Sequence, residues 1–95
     1  MYMKTRITKE KIKKYRDITK KALKMAKESI LAGKEKEAEE IINMVENYLE
    51  DSSYFEKKGD FVDCFAAINY AHGWLDAGVR LDIFDVKDDK LFTIK

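Results

Sequence analysis

The stretch EKKGDFVDCFAAINYAHGWLDAGVRL, residues 56–81, contains a helix stop followed directly by a helix that is apolar on two sides. The Lys-Lys-Gly run at 57–59 is the stop, because cations suit the carbonyls of a last turn and glycine readily adopts the left-handed conformation beyond it. Asp60 then occupies the N-cap position of a helix that we expect to end near Leu81. Two helices joined by so short a loop pack antiparallel.

The apolar side chains of this last helix fall on two roughly opposite sides when the sequence is projected at about 100° per residue. One face carries Phe61, Phe65, Ile68, His72, Leu75 and Val79. The other face carries Ala66, Ala67, Tyr70, Trp74, Ala77 and Leu81. A helix that is apolar on two sides needs neighbours on two sides.

Two more helices are predicted upstream, at about residues 8–32 and 35–57. Thr8 is a good N-cap for the first, and Gly33 is placed to end it in the left-handed conformation. With the helix at about 60–81, the chain is predicted to be all-α, an up-down-up antiparallel three-helix bundle forming one domain over 1–95. In residues 82–95 apolar side chains surround the polar run KDDK instead of recurring at helical spacing. This segment is predicted to be a short extended C-terminal tail, with a short hairpin as the alternative.

Composition places the chain among small intracellular proteins. Its 95 residues suffice for one core. A single Cys allows no internal disulfide, which fits a reducing cytosol. No apolar run approaches the roughly 20 residues of a membrane span, and the N-terminus does not resemble a signal peptide. We therefore expect a soluble cytoplasmic protein, and the Lys/Glu-rich composition without Gln is typical of thermophiles.

Charge is divided unevenly along the chain. Residues 1–36 contain 13 Lys/Arg against 4 Asp/Glu, and residues 37–95 contain 6 against 14. Cations recur at intervals of three and four along the polar side of the first helix, and Arg16 falls in this series. The candidate nucleic-acid contacts, here called the basic face, are Lys13, Lys20, Lys24 and Lys27. Such a series of lysines either contacts a phosphate backbone or forms an ordinary solvated helix face.

The chain's only His lies within a polar cluster on the third helix: Asn69, His72, Asp76 and Arg80. In one interpretation Asp76 fixes the tautomer of His72, which acts as a base or ligand. In the other, favoured here, His72 is a core residue whose ring nitrogens bond Asp76, a Tyr hydroxyl or a backbone carbonyl. One His and one Cys are too few soft ligands for zinc, so no metal site is predicted. No cofactor is predicted, and an enzyme is the less favoured interpretation.

Tyr70, Trp74 and Ala77 form the candidate interaction site, because they lie on the second apolar face of the third helix. That face must be covered by the tail, covered by another subunit, or left exposed as an interaction surface. The sequence therefore predicts a protein-interaction or self-association module, most simply a homodimer. A nucleic-acid-binding accessory protein is the alternative, and a small-molecule binder or enzyme around His72 is less favoured.

Residues 54–86 resemble the signature region of an archaeal family of small proteins, domain-of-unknown-function family 357. Three elements carry the resemblance: Gly59-Asp60, the run YAHGWLDAG at 70–78, and LFT at 91–93. The resemblance implies a compact three-helix bundle and an archaeal cytoplasmic setting. It implies no reaction.

Overall fold

The computed structural model describes residues 6–92. It contains α1 (Lys9–Lys27), α2 (Glu35–Lys57) and α3 (Phe61–Arg80). The predicted all-α fold, an up-down-up antiparallel three-helix bundle, is confirmed. Residues 1–5 of the predicted domain lie outside the described part, as do tail residues 93–95, including Thr93 of the LFT motif.

The helix boundaries follow from local chemistry. The hydroxyl of Thr8 accepts a hydrogen bond from the Lys11 amide at 3.1 Å, which confirms the predicted N-cap. Gly59 has a φ of +78°, the left-handed conformation expected after the stop at the end of α2. Asp60 occupies the N-cap position of α3 but makes no side-chain cap hydrogen bond, so its predicted capping bond is absent.

The first helix ends at Lys27, five residues before the predicted end near residue 32. Residues 29–31 leave the helix because their backbone pairs with the chain that follows α3. The Leu31 amide donates to the Ile83 carbonyl at 3.0 Å, and the Asp85 amide donates to the Ser29 carbonyl at 2.7 Å. Long-range pairing thus replaces the last helical turn. Gly33 does adopt a positive φ of +87°, but within the loop that leads to α2.

Helix α3 is the central helix of the bundle. It packs most extensively against α2 and less against α1, while α1 and α2 contact each other least. The bundle is flat, with extents of 47 × 30 × 16 Å. The buried side of α3 faces between α1 and α2, and it therefore differs from both predicted faces. The buried residues on this side are Cys64, Ala67, Ile68, Ala71, Leu75, Gly78 and Val79.

The core consists of two hydrophobic clusters. The smaller contains Ile12, Cys64 and Ile68, at the end of the bundle where α3 begins. The larger fills the other end and includes side chains from the segment after α3: Ile83, Phe84, Val86 and Phe92. This segment pairs with the α1–α2 loop through a bridge between Ile30 and Phe84. The described tail is therefore part of the core rather than a free arm, and within residues 82–92 it forms no hairpin.

Candidate functional site

The outward side of α3 carries an exposed apolar surface, here called the outer face: Asn69, Tyr70, Gly73, Trp74 and Ala77. The outer face lines a shallow depression of about 330 Å³. Tyr70 is 63% exposed and Trp74 is 39% exposed, values far from those of core aromatic residues. Helical spacing places these residues on adjacent turns. Nothing lies within 4 Å of the position that a Gly73 Cβ would take, so the backbone there is open to close approach.

A second depression, of about 300 Å³, adjoins the outer face on the side of α2. Tyr70 lines both depressions, and its ring lies 5.6 Å from the ring of Tyr48 on α2. Apolar and small side chains of both helices continue the surface, with Asp51 and Asp63 at its border. The apolar surface thus extends from α3 onto α2.

The described tail leaves the outer face uncovered. Every residue that lines its depression belongs to α3. Residues 82–92 pack elsewhere, against the larger cluster and against His72. Of the three outcomes foreseen for the outer face, covering by the described part of the tail is therefore wrong.

His72 joins three parts of the chain. Its Nε2 lies 2.7 Å from the backbone carbonyl of Leu91, and its Nδ1 lies 3.1 Å from the hydroxyl of Thr19 on α1. Because a carbonyl only accepts, Nε2 carries the proton and donates. In the neutral ring Nδ1 then accepts from Thr19, which is 1% exposed. Both ring nitrogens have hydrogen-bond partners, so the geometry fits a structural link between α1 and the tail better than a free base.

The polar cluster predicted around His72 is only partly gathered in space. Asn69, His72 and Asp76 line one cleft of about 400 Å³ between α1, α3 and the tail. The Asp76 carboxylate lies 3.9 Å from Nε2 of His72, beyond a good hydrogen bond. Arg80 is exposed and does not line this cleft. The backbone carbonyl expected as a partner of His72 is present, and the Thr19 hydroxyl takes the place of the expected Tyr hydroxyl.

A family model for "Protein of unknown function (DUF357)" matches residues 6–84. The chain belongs to the DUF357 family. The match spans all three helices and reaches Phe84, so it covers the outer face and His72 but stops before Leu91. No curated protein and no solved structure matches the chain. Family membership therefore assigns no activity to the chain.

In this DUF357 chain a half-buried guanidinium lies where the sequence predicted a surface cation. Arg16 points inward, which corrects its placement beside the basic-face lysines. Its guanidinium donates to the Glu56 carboxylate at 2.5 Å, to the Ser52 hydroxyl at 3.1 Å and to the Cys64 sulfur at 3.4 Å. Within residues 6–92 its Nε is buried without a hydrogen-bond partner. Arg16 thereby fills the gap between α1 and α2, beside the smaller cluster.

The surroundings of Cys64 keep its thiol protonated. Burial raises the pKa of this thiol above its ordinary value of 9.0, and the positive charge of Arg16 opposes that rise without cancelling it. A thiol with a raised pKa is a poor nucleophile. Helical spacing alone does not indicate that Arg16 lies beside Cys64, because Arg16 shares the three-and-four spacing of the lysines.

The basic face of the DUF357 chain is only partly free. Lys13 pairs with Asp17 at 3.1 Å, and Lys27 pairs with Glu46 of α2 at 2.8 Å. Lys20 and Lys24 are exposed and form no ion pair with any residue in 6–92. Two of the four candidate contacts thus already have a carboxylate partner.

Across residues 6–92, no three His, Cys, Asp or Glu side chains gather closely enough to hold a metal ion. None of the helices in the same range combines the length and apolar character that a membrane crossing requires.

Proposed function

We propose that this DUF357 chain is a non-enzymatic interaction module of the cytoplasm that self-associates through the outer face of α3. The observation that carries the proposal is the exposure of Tyr70 and Trp74 side by side on an apolar surface. Aromatic anchors in an apolar setting are the residues that contribute most binding energy at protein interfaces.

A second copy of the chain is the occupant that the surface fits. A stable homodimer buries about 800 Å² on each partner, so the outer face and the adjoining α2 surface would both take part in the contact. Its border is charged while its centre is apolar, the arrangement typical of interfaces. Because an isologous contact uses one patch twice, a single apolar face is sufficient.

Sedimentation velocity over about 1–100 µM tests the proposal on three chains: wild type, Trp74→Asp and the control Tyr54→Asp. Tyr54 is 55% exposed on α2 and lines neither depression, so it matches Trp74 in kind but not in place. We expect dimers of wild type and of the control and a monomeric Trp74→Asp variant, because a desolvated carboxylate at the centre of an interface is costly. A wild type that stays monomeric across this range refutes the proposal.

Nucleic-acid binding by the basic face is the second candidate. Lys20 and Lys24 support it, since both are exposed and neither pairs with a residue in 6–92. The ion pairs of Lys13 and Lys27 weigh against it, because those carboxylates must be displaced before the lysines contact phosphates.

A further inference from the structure

We infer that the two copies meet with their α3 helices antiparallel, in a register that sets Arg80 of one copy against Asp63 of the other. The inference rests on the proposed self-association and adds its orientation and its charge pairs. Three observations carry it: charges at the border of the outer face that form no ion pair within residues 6–92, the fit of Tyr70 against Gly73, and the like-charge contacts that the opposite orientation creates.

The border of the outer face carries charged side chains that form no ion pair with any residue in 6–92. Arg80 is exposed at the C-terminal end of α3, and Asp63 is exposed in its first turn. Asp51 of α2 lines the same depression as Asp63. Within residues 6–92 none of these three side chains forms an ion pair. Asp63 and Arg80 therefore place opposite charges near the two ends of α3.

An antiparallel pairing brings these two ends together. A two-fold axis that passes between Ala71 and His72 places each residue of α3 opposite a residue equally far on the other side of the axis. Asp63 then lies opposite Arg80 of the second copy. The pairing occurs twice, once at each end of the contact, because the interface is symmetric.

The same register also matches side-chain size. Tyr70 lies opposite Gly73 of the second copy, where no Cβ obstructs the ring. Ala66 lies opposite Ala77, so two small residues meet and the helices can approach closely. Trp74 lies opposite Asn69 of the second copy, so the fit of an aromatic ring against a glycine applies to Tyr70 alone.

A parallel pairing in register has the reverse consequences. It places Arg80 against Arg80 and Asp63 against Asp63, and like charges across an interface disfavour association. It also aligns the two α3 dipoles side by side in the same direction, which is less favourable than opposed dipoles. Charge and size thus select the antiparallel arrangement.

A charge exchange tests the orientation. Dissociation constants are measured by sedimentation equilibrium for wild type, Arg80→Asp, Asp63→Arg and the double variant. Each single change places like charges together in the antiparallel dimer, and we expect each to weaken association about tenfold or more. The double variant restores both pairs in exchanged order, and we expect its dissociation constant to return to within about threefold of wild type.

Two further variants separate the possible outcomes. Arg80→Ala weakens an antiparallel dimer by removing an attraction, whereas it tightens a parallel dimer by removing a repulsion. Lys24→Asp, a charge change at an exposed site off the outer face, is the control for net charge. A wild type that dimerises but is unaffected by both single changes, or tightened by Arg80→Ala, overturns the register alone. A wild type that never dimerises refutes the proposed function together with the register.

Discussion

Gly78→Ala is the change that best tests how the segment after α3 is held in the core. A Cβ at Gly78 would lie 2.6 Å from Cδ2 of Phe84, closer still to Cε2 of the same ring, and 3.2 Å from Cδ1 of Ile41. Carbon atoms in favourable contact are about 3.5–4.0 Å apart, so the Phe84 ring must move by about 1 Å. The ring is only 2% exposed and its backbone pairs with Ile30, so it has little room to move.

The expected magnitude is the difference between two opposing effects. Adding a methyl group to a packed core typically costs about 1–3 kcal/mol, and the tight contact with a buried ring places this site near the upper value. Alanine is favoured over glycine inside a helix by about 1 kcal/mol. We therefore expect Gly78→Ala to lower the free energy of unfolding by about 2 kcal/mol, a loss of roughly 10 °C in melting temperature for a domain of this size.

Gly73→Ala is the matched control, because Gly73 lies in the same helix and nothing lies within 4 Å of its Cβ position. This variant is expected to gain about 0.5–1 kcal/mol from helix propensity alone. Urea unfolding followed by circular dichroism below about 1 µM keeps self-association out of the comparison. If Gly78→Ala proves as stable as Gly73→Ala, Phe84 does not pack against Gly78, and the described position of the tail is wrong.

Three other predictions concern His72, the basic face and Cys64. In thermal melting, His72→Ala should lower the free energy of unfolding by about 2 kcal/mol, because two hydrogen bonds and side-chain packing are lost. His72→Gln retains a donor and should lower it less. An unchanged stability of His72→Ala would show that His72 does not link α1 to the tail. If the basic face binds RNA or DNA, the affinity should fall by about 0.7–0.9 log units per log unit of salt for each phosphate neutralised. Replacing its four lysines by Glu should abolish binding. A wild type that binds neither RNA nor DNA at low salt removes this candidate function. The pKa of the folded Cys64 thiol is raised, so the folded state retains a proton that the unfolded chain loses, and stability should fall as pH rises past about 9. Cys64→Ala should lose less stability than wild type between pH 7 and pH 10 in urea titrations, and equal losses in the two chains would contradict the raised pKa.

Much of the candidate site was predictable from helical periodicity. The spacing of Tyr70, Trp74 and Ala77 placed them together on one side of α3, and that side is the exposed one. Arg16 was not predictable in this way. Its spacing matches that of the surface lysines, and only the gap between α1 and α2, with Glu56 and Ser52 beside it, draws its guanidinium inward.

The sequence by itself determined the three helices and their order, because caps, glycine stops and the 3.6-residue apolar period act over a few neighbouring residues. Tertiary structure decided where α1 ends, which arc of α3 is buried, and where the tail lies. Each of these depends on groups far apart in the chain: Ser29 and Leu31 pair with residues 83–85, and Phe84 packs on Gly78. His72 likewise bonds Thr19 and Leu91, 53 and 19 residues away. Local patterns carry no information about such partners, because the free energy of these contacts exists only once the helices have packed.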